Sequence, residues 1–190
     1  MDRSRIGAYR RRRTDTDELR SIEADLNGKK IAIISTNGFE DSELTSPKEA
    51  VEAAGATTAV IAPETGEITG KNGTAVKVDL TTADANAADY DALILPGGTG
   101  NADAIRVDAP AVALVKEFKA ADKAIGVICH GGWILTDADL LKGVKLTSVA
   151  NVKTDLVNAG ANWVDEEVVV DSGFISSRTP ADLEAFNAAL

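Results

Sequence analysis

From residue 29 onward the chain alternates between two hydrophobic periods. Short apolar runs rich in β-branched residues, at 31–35, 57–62, 92–95 and 124–128, have the length and composition of buried strands. Between them lie segments with helical spacing. One ends at Ala54 with Gly55 as its cap, and another opens at Ala109-Pro110 and runs to residue 121. The first of these has two possible starts, near Glu40 or at Pro47 in the capping box Ser46-Pro47-Lys48-Glu49. An early start places Glu40 and Glu43 on one helical face at the carboxyl end of the first strand. Their plain alternative role is that of first-turn acids complementing the helix dipole. Residues 67–73 read as a turn into a strand at 74–78. Further strands are predicted at 144–148, 163–164, 168–170 and 174–176. Helices are predicted at 133–141, at 154–159 before Gly160, and from Thr179-Pro180 with Asp182 to the C-terminus. Repeated strand–helix–strand units predict an α/β fold: a doubly wound, mostly parallel sheet with helices on both faces and ligands at the strand carboxyl ends.

The 124–128 strand stops at Cys129-His130-Gly131-Gly132, where the chain's one cysteine meets its one histidine. A strand, a sharp turn and a helix meeting at Cys129 form a nucleophile elbow, with Gly131 allowing the tight backbone, although Val127 stands where the motif has its first glycine. A thiol near the first turn of a following helix is expected to have a lowered pKa. As a plain alternative, a lone cysteine at a strand end is a small buried apolar residue. The 92–95 strand ends in Pro96-Gly97-Gly98-Thr99-Gly100-Asn101. The spacing misses the dinucleotide pattern, because Asp103 stands in place of its third glycine. Gly97 and Gly98 are better suited to bring backbone N–H groups up to a reacting centre.

Composition narrows the setting. At 190 residues and 44% hydrophobic, the chain supports one substantial core. We divide it into a basic, amphipathic extension at 1–28, with an expected helix at 16–26 carrying Leu19, Ile22 and Leu26, and a single domain at 29–190. The first thirteen residues carry a local charge of +5 against an overall −10, leaving −15 on the remainder. Such an acidic body argues against nucleic-acid binding by the fold. A single cysteine excludes an internal disulfide, and no apolar run approaches a membrane span, so the cytoplasm is the expected compartment and no membrane partner is expected.

Several ordered motifs together carry a family resemblance: Gly38-Phe39-Glu40-Asp41-Ser42-Glu43, Leu95-Pro96-Gly97-Gly98, Ile128-Cys129-His130-Gly131, Thr154-Asp155 with Asn158-Ala159-Gly160, Trp163 to Asp171, and Ser177-Arg178. From about residue 30 to the C-terminus the chain resembles the ThiJ/PfpI family, PfpI branch, of the Parkinsonism-associated deglycase superfamily. The resemblance implies a flavodoxin-like fold, Cys129 as nucleophile, Glu43 hydrogen-bonded to it, and His130 as neighbouring acid/base. It also implies a homo-oligomer, in which an acid from another subunit completes the histidine contact; Asp103 is the nearest match. Gly132 departs from the family's usual proline.

Three functions follow from these residues. In a cysteine peptidase, Cys129 attacks a carbonyl, the Gly98 and Cys129 N–H groups hold the oxyanion, and His130 moves protons. In a deglycase the same machinery acts on glyoxal adducts of protein or nucleotide. In an oxidative-stress sensor the thiolate stops at sulfenic or sulfinic acid. A glutamine amidotransferase needs a second histidine, which is lacking. None of the three calls for a cofactor, and one histidine with one cysteine makes no zinc site.

Overall fold

A computed structural model describes residues 25–190, so the arginine-rich head and most of the expected 16–26 helix lie outside the described residues. Strands β1 (Lys30–Ile34), β2 (Thr57–Ala62), β6 (Ala92–Leu95), β7 (Ala124–Ile128) and β11 (Phe174–Ser177) pair in parallel, joined at the edges by β5 (Leu80–Thr81) and the antiparallel β10 (Val169–Asp171). The sheet order is β10-β11-β7-β6-β1-β2-β5. Two small ribbons stand apart from it. One is a hairpin of β3 (Glu67–Thr69) and β4 (Ala75–Lys77), the other a parallel pair of β8 (Lys145–Leu146) and β9 (Asn162–Trp163). Where sequence alone predicted a turn and then a strand at 67–78, the chain makes this hairpin, and its tip carries Lys71.

Period-two alternation puts each central strand between two cores. Ala32, Ile34, Leu93, Leu95, Ile125 and Val127 join one cluster, against α3 (Ala109–Ala120), α4 (Trp133–Asp137) and α5 (Lys153–Asn158). Ile31, Ile33 and Ile94 face the other side, under α1 (Asp41–Ala53) and α6 (Leu183–Ala189). The doubly wound architecture is thus present, with both faces covered.

Helix boundaries account for most differences from expectation. Helix α1 takes the early start: Glu40 is its N-cap, Glu43 falls in the first turn, and Pro47 lies inside. Gly97-Gly98-Thr99-Gly100 reads as a flexible glycine loop, but the helix α2 (Thr99–Ile105) starts within it, with Gly98 as its N-cap. Helix α4 ends at Asp137, four residues early, because Asp139 takes a left-handed backbone (φ 55°) and the Leu140 N–H closes back on the Leu135 carbonyl. Glycine is the usual residue there, so the stop signal was silent in the sequence.

The winding direction fixes where a site can form. From β1 the chain runs outward to β2 and β5, then crosses back to β6 on the other side of β1. At that reversal the loops leaving β1 and β6 diverge and open a crevice at the carboxyl edge of the sheet, the position open α/β sheets use for ligands.

Candidate active site

Three loops meet in the crevice, and each brings one of the residues singled out by sequence. The loop after β1 delivers Glu43 on the first turn of α1. The loop after β6 delivers Gly97 and Gly98, and Cys129 and His130 follow β7. Glu43, Gly98, Cys129 and His130, with Gly38, Glu40, Lys71, Thr99, Gly100 and Pro180, line a pocket of about 440 Å³.

The turn at Cys129 is sharp and strained. Its φ of 61° lies in the left-handed region, where a residue with a side chain costs roughly 1–3 kcal/mol. A short 3-10 turn, Cys129–Gly132, links it to α4. Gly131 is required by close approach, since a Cβ there would strike the Leu95 and Pro96 carbonyls. Gly132 holds φ −68°, the angle to which proline is locked, so the departure from the family pattern leaves the folded turn unchanged. The left-handed residue also turns two adjacent side chains toward each other. The Cys129 sulfur lies 3.3 Å from His130 Nδ1, a contact that neighbours on a helix do not make.

Glu43 is fully buried. Its Oε2 accepts a 2.8 Å hydrogen bond from the Gly97 N–H, while Oε1 has no hydrogen-bond partner among the described residues and Cys129 is the polar group beside it. Burial raises the carboxyl from 4.5 to about 7, against the opposing pull of the Cys129 and Gly97 hydrogen bonds. When protonated, the Glu43 carboxyl is a donor available to the neighbouring sulfur.

The thiol runs opposite to the sequence expectation. Burial, reinforced by the Glu43 charge, pushes Cys129 up to about 12, although the N–H groups of His130 and Gly98 favour its anion. The helix that was to lower it is five residues long and begins four positions away, too short and too distant to outweigh desolvation. Two acids in contact therefore compete for a single negative charge. Burial lowers the pKa of His130, helped by the positive charge of Lys71, so its ring is neutral near pH 7. A neutral imidazole 3.3 Å from the sulfur is a base for the thiol proton.

Within the chain one group meets the far side of the imidazole. Thr99 Oγ1 stands 3.3 Å from His130 Nε2, and Nδ1 is free to accept from the thiol only when Nε2 carries the proton, so Thr99 acts as acceptor. Asp103 is exposed on α2, one turn beyond Thr99, and within the chain His130 meets Thr99. Thr99 gave no signal in the sequence because it sat in what read as loop.

Lys71 was likewise missed. It pairs with Glu40 at the pocket mouth and is carried there by the β3–β4 hairpin. Asp41 ties that hairpin down, its carboxylate accepting from the Asn72 and Thr74 N–H groups, both at 2.9 Å. Among the described residues no group of three or more His, Cys, Asp or Glu side chains could hold a metal ion. No described helix is long and apolar enough to cross a membrane.

Comparison with known proteins identifies the family and the fold. A Bacillus subtilis protein named "Putative cysteine protease YraA" is 48% identical over 160 residues, covering 84% of this chain and 94% of that one. A two-domain protein from Anabaena variabilis with DJ-1/ThiJ/PfpI-like and ferritin-like domains superimposes with a TM-score of 0.83 at 35% identity, covering 85% of this chain and 48% of its own. Schizosaccharomyces pombe DJ-1 shares the fold at a TM-score of 0.76 and 22% identity, covering 83% of this chain and 87% of its own. The DJ-1/PfpI family model matches residues 29–190, the same stretch that folds around Cys129, and the chain belongs to that family.

Proposed function

We propose that the protein is a cysteine-dependent hydrolase of small carbonyl compounds or peptides. The observation that carries this reading is the Cys129 sulfur 3.3 Å from the Nδ1 of a neutral His130. Nδ1 takes the thiol proton as sulfur bonds to the carbonyl carbon, and the carbonyl electron pair moves to oxygen. The His130 N–H of this turn and the Gly98 N–H of the loop after β6, which both favour the sulfur anion, are the donors available to the new oxyanion. On a peptide the imidazolium then returns the proton to the departing amine, leaving a thioester; on a glyoxal-derived aldehyde the hemithioacetal has no leaving group, and its C–H proton moves through an enediol to the neighbouring carbonyl carbon, which gives a 2-hydroxy thioester. Water attacks either thioester to release the acid. This route generates the thiolate during reaction, which suits a thiol whose resting pKa is high.

The pocket suits the glyoxal-adduct form of this activity, since about 440 Å³ accommodates a small adduct more readily than a folded peptide segment. Steady-state assays on methylglyoxal, a glycated peptide and a fluorogenic peptide, with the natural enzyme and Cys129→Ser, test the reading. Turnover of none of the three, or turnover that survives the substitution, overturns it.

A second reading, protection by oxidation of Cys129, is favoured by the unpartnered Glu43 Oε1, which when protonated can donate to a sulfinate oxygen. Stoichiometric peroxide consumption that stops at one sulfinic acid per chain, without hydrolytic turnover, selects it. In either case we place the protein in the cytoplasm as a homo-oligomer. Asp103, exposed on the same helix that supplies Thr99, is the acid this reading assigns to a neighbouring subunit's site, and light scattering with Asp103→Ala kinetics tests that arrangement.

A further inference from the structure

One buried polar residue near the pocket has no part in the chemistry above, yet every hydrogen-bonding position on its amide is used. Asn101, 1% exposed on α2, accepts at Oδ1 from the Thr36 N–H (2.7 Å) and the Ser35 hydroxyl (3.2 Å). Its Nδ2 donates to the Pro96 carbonyl (3.1 Å) and the Gly97 carbonyl (3.0 Å). The side chain thus fastens the end of β1 to the end of β6, across the crevice where the two loops diverge. The bond to Gly97 has the larger consequence. A peptide unit is planar and trans, so the Gly97 carbonyl and the Gly98 N–H point in opposite directions from one rigid plate. Holding the carbonyl on the Asn101 side, where the Glu40 N–H also meets it at 3.2 Å, turns the Gly98 N–H toward the Cys129 sulfur. Gly98 itself has φ 89°, and glycine tolerates more than one orientation of that plate. The conformation of Gly98 therefore does not fix the plate, and the Asn101 amide holds it together with the Glu40 N–H.

We propose that Asn101 is a positioning residue that locks the 97–98 peptide in the orientation aiming the Gly98 N–H at Cys129. It touches neither substrate nor sulfur and acts only through that peptide. The inference rests on Cys129 being the reactive group, as in the proposed function, but not on any hydrolytic reaction.

The test uses Asn101→Ala and Asn101→Ser, both neutral so that no charge is added near the sulfur, with Ser35→Ala as control. That control removes one bond to Oδ1 and leaves both bonds to the β6 loop. Two readouts need no substrate: thiolate absorbance against pH, and the second-order rate of chloroacetamide alkylation at a pH below the thiol midpoint. Losing a hydrogen bond to the anion is expected to move the midpoint upward and slow alkylation roughly tenfold in both Asn101 variants, with Ser35→Ala unchanged. A merely structural role would lower the melting temperature and leave both readouts in place. If Asn101→Ala does not fold, Asn101→Ser, which keeps a hydroxyl, gives the result. A folded variant with an unmoved midpoint and alkylation rate overturns the proposal. Loss of thiol reactivity in a protein that hydrolyses nothing would uphold it while removing the hydrolase reading.

Discussion

Strand β7 is entered through Asp122 (φ 54°) and left through Cys129 (φ 61°), so both of its ends carry a non-glycine residue in the left-handed region. At the entrance the conformation ends a helix. The Asp122 N–H bonds to the Lys119 carbonyl and the Lys123 N–H to that of Phe118, the paired closure of a helix terminus. Asp122 is exposed, and an aspartate tolerates this backbone better than most residues. At the exit no helix needs closing. There the same angle turns a half-buried thiol onto its own neighbour's imidazole and against a buried acid. One backbone conformation is a stop signal at one end and a means of aiming a side chain at the other; the surroundings decide which.

Substitutions separate the two ends, beginning with the largest effect. Cys129→Ser is expected to lower kcat/KM at least about 1000-fold while the protein still melts cooperatively, whereas the entrance residue can be replaced without loss of turnover. Glu43→Gln sharpens the picture of the exit through pH. The folded carboxyl is raised to about 7, so between pH 4.5 and 7 the unfolded chain ionises while the folded one holds its proton. Stability of the natural protein therefore falls as pH rises through that window and stays lower above it. Glutamine cannot ionise, so the variant should match the natural protein below pH 4.5 and exceed it above pH 7 by on the order of 3 kcal/mol. Denaturant unfolding at pH 4 and pH 8 reads the difference; parallel curves would mean that the acid is not held neutral.

Thr99→Val removes the contact at His130 Nε2 and should reduce kcat about tenfold by releasing the imidazole tautomer. An unchanged kcat would show that another group orients the ring. Asp122→Gly is expected to raise stability by about 1 kcal/mol with activity unaltered, the opposite outcome to any change at Cys129. Gly132→Pro, at a φ already suited to proline, should add about 0.5 kcal/mol by restricting the unfolded chain. A lower melting temperature there would mean that the turn needs the Gly132 N–H.

The same contrast explains what could be read before folding. Strands and long helices announced themselves through period-two and helical spacing, and Glu43, Gly98, Cys129 and His130 all fall at strand carboxyl ends, an edge visible in the order of elements alone. Signals carried by unusual residues were silent. Asp139 ends α4 in the place of a glycine, so the helix read four residues too long. Thr99, Asn101 and Lys71 are of ordinary type in loop-like sequence, and their contacts to His130, Gly97 and Glu40 span 31, 4 and 31 positions, so only the fold makes their roles visible. The direction of the Cys129 shift was misread for a related reason. A helix dipole can be inferred from a pattern, but the depth of burial that overrides it depends on three loops converging.

Asp41 determines what acid and base can disturb at this site. Its carboxyl is lowered to about 2, first by the Thr74 hydroxyl and then by the Asn72 and Thr74 N–H groups, so the tether holding the Lys71 turn weakens only as pH falls toward that value. Glu43 titrates about five units higher. The rim of the pocket is therefore mechanically indifferent to pH across the whole range in which its floor changes charge. A pH–rate profile measured between 5 and 9 therefore records proton movements around the sulfur, with no contribution from the Asp41 tether.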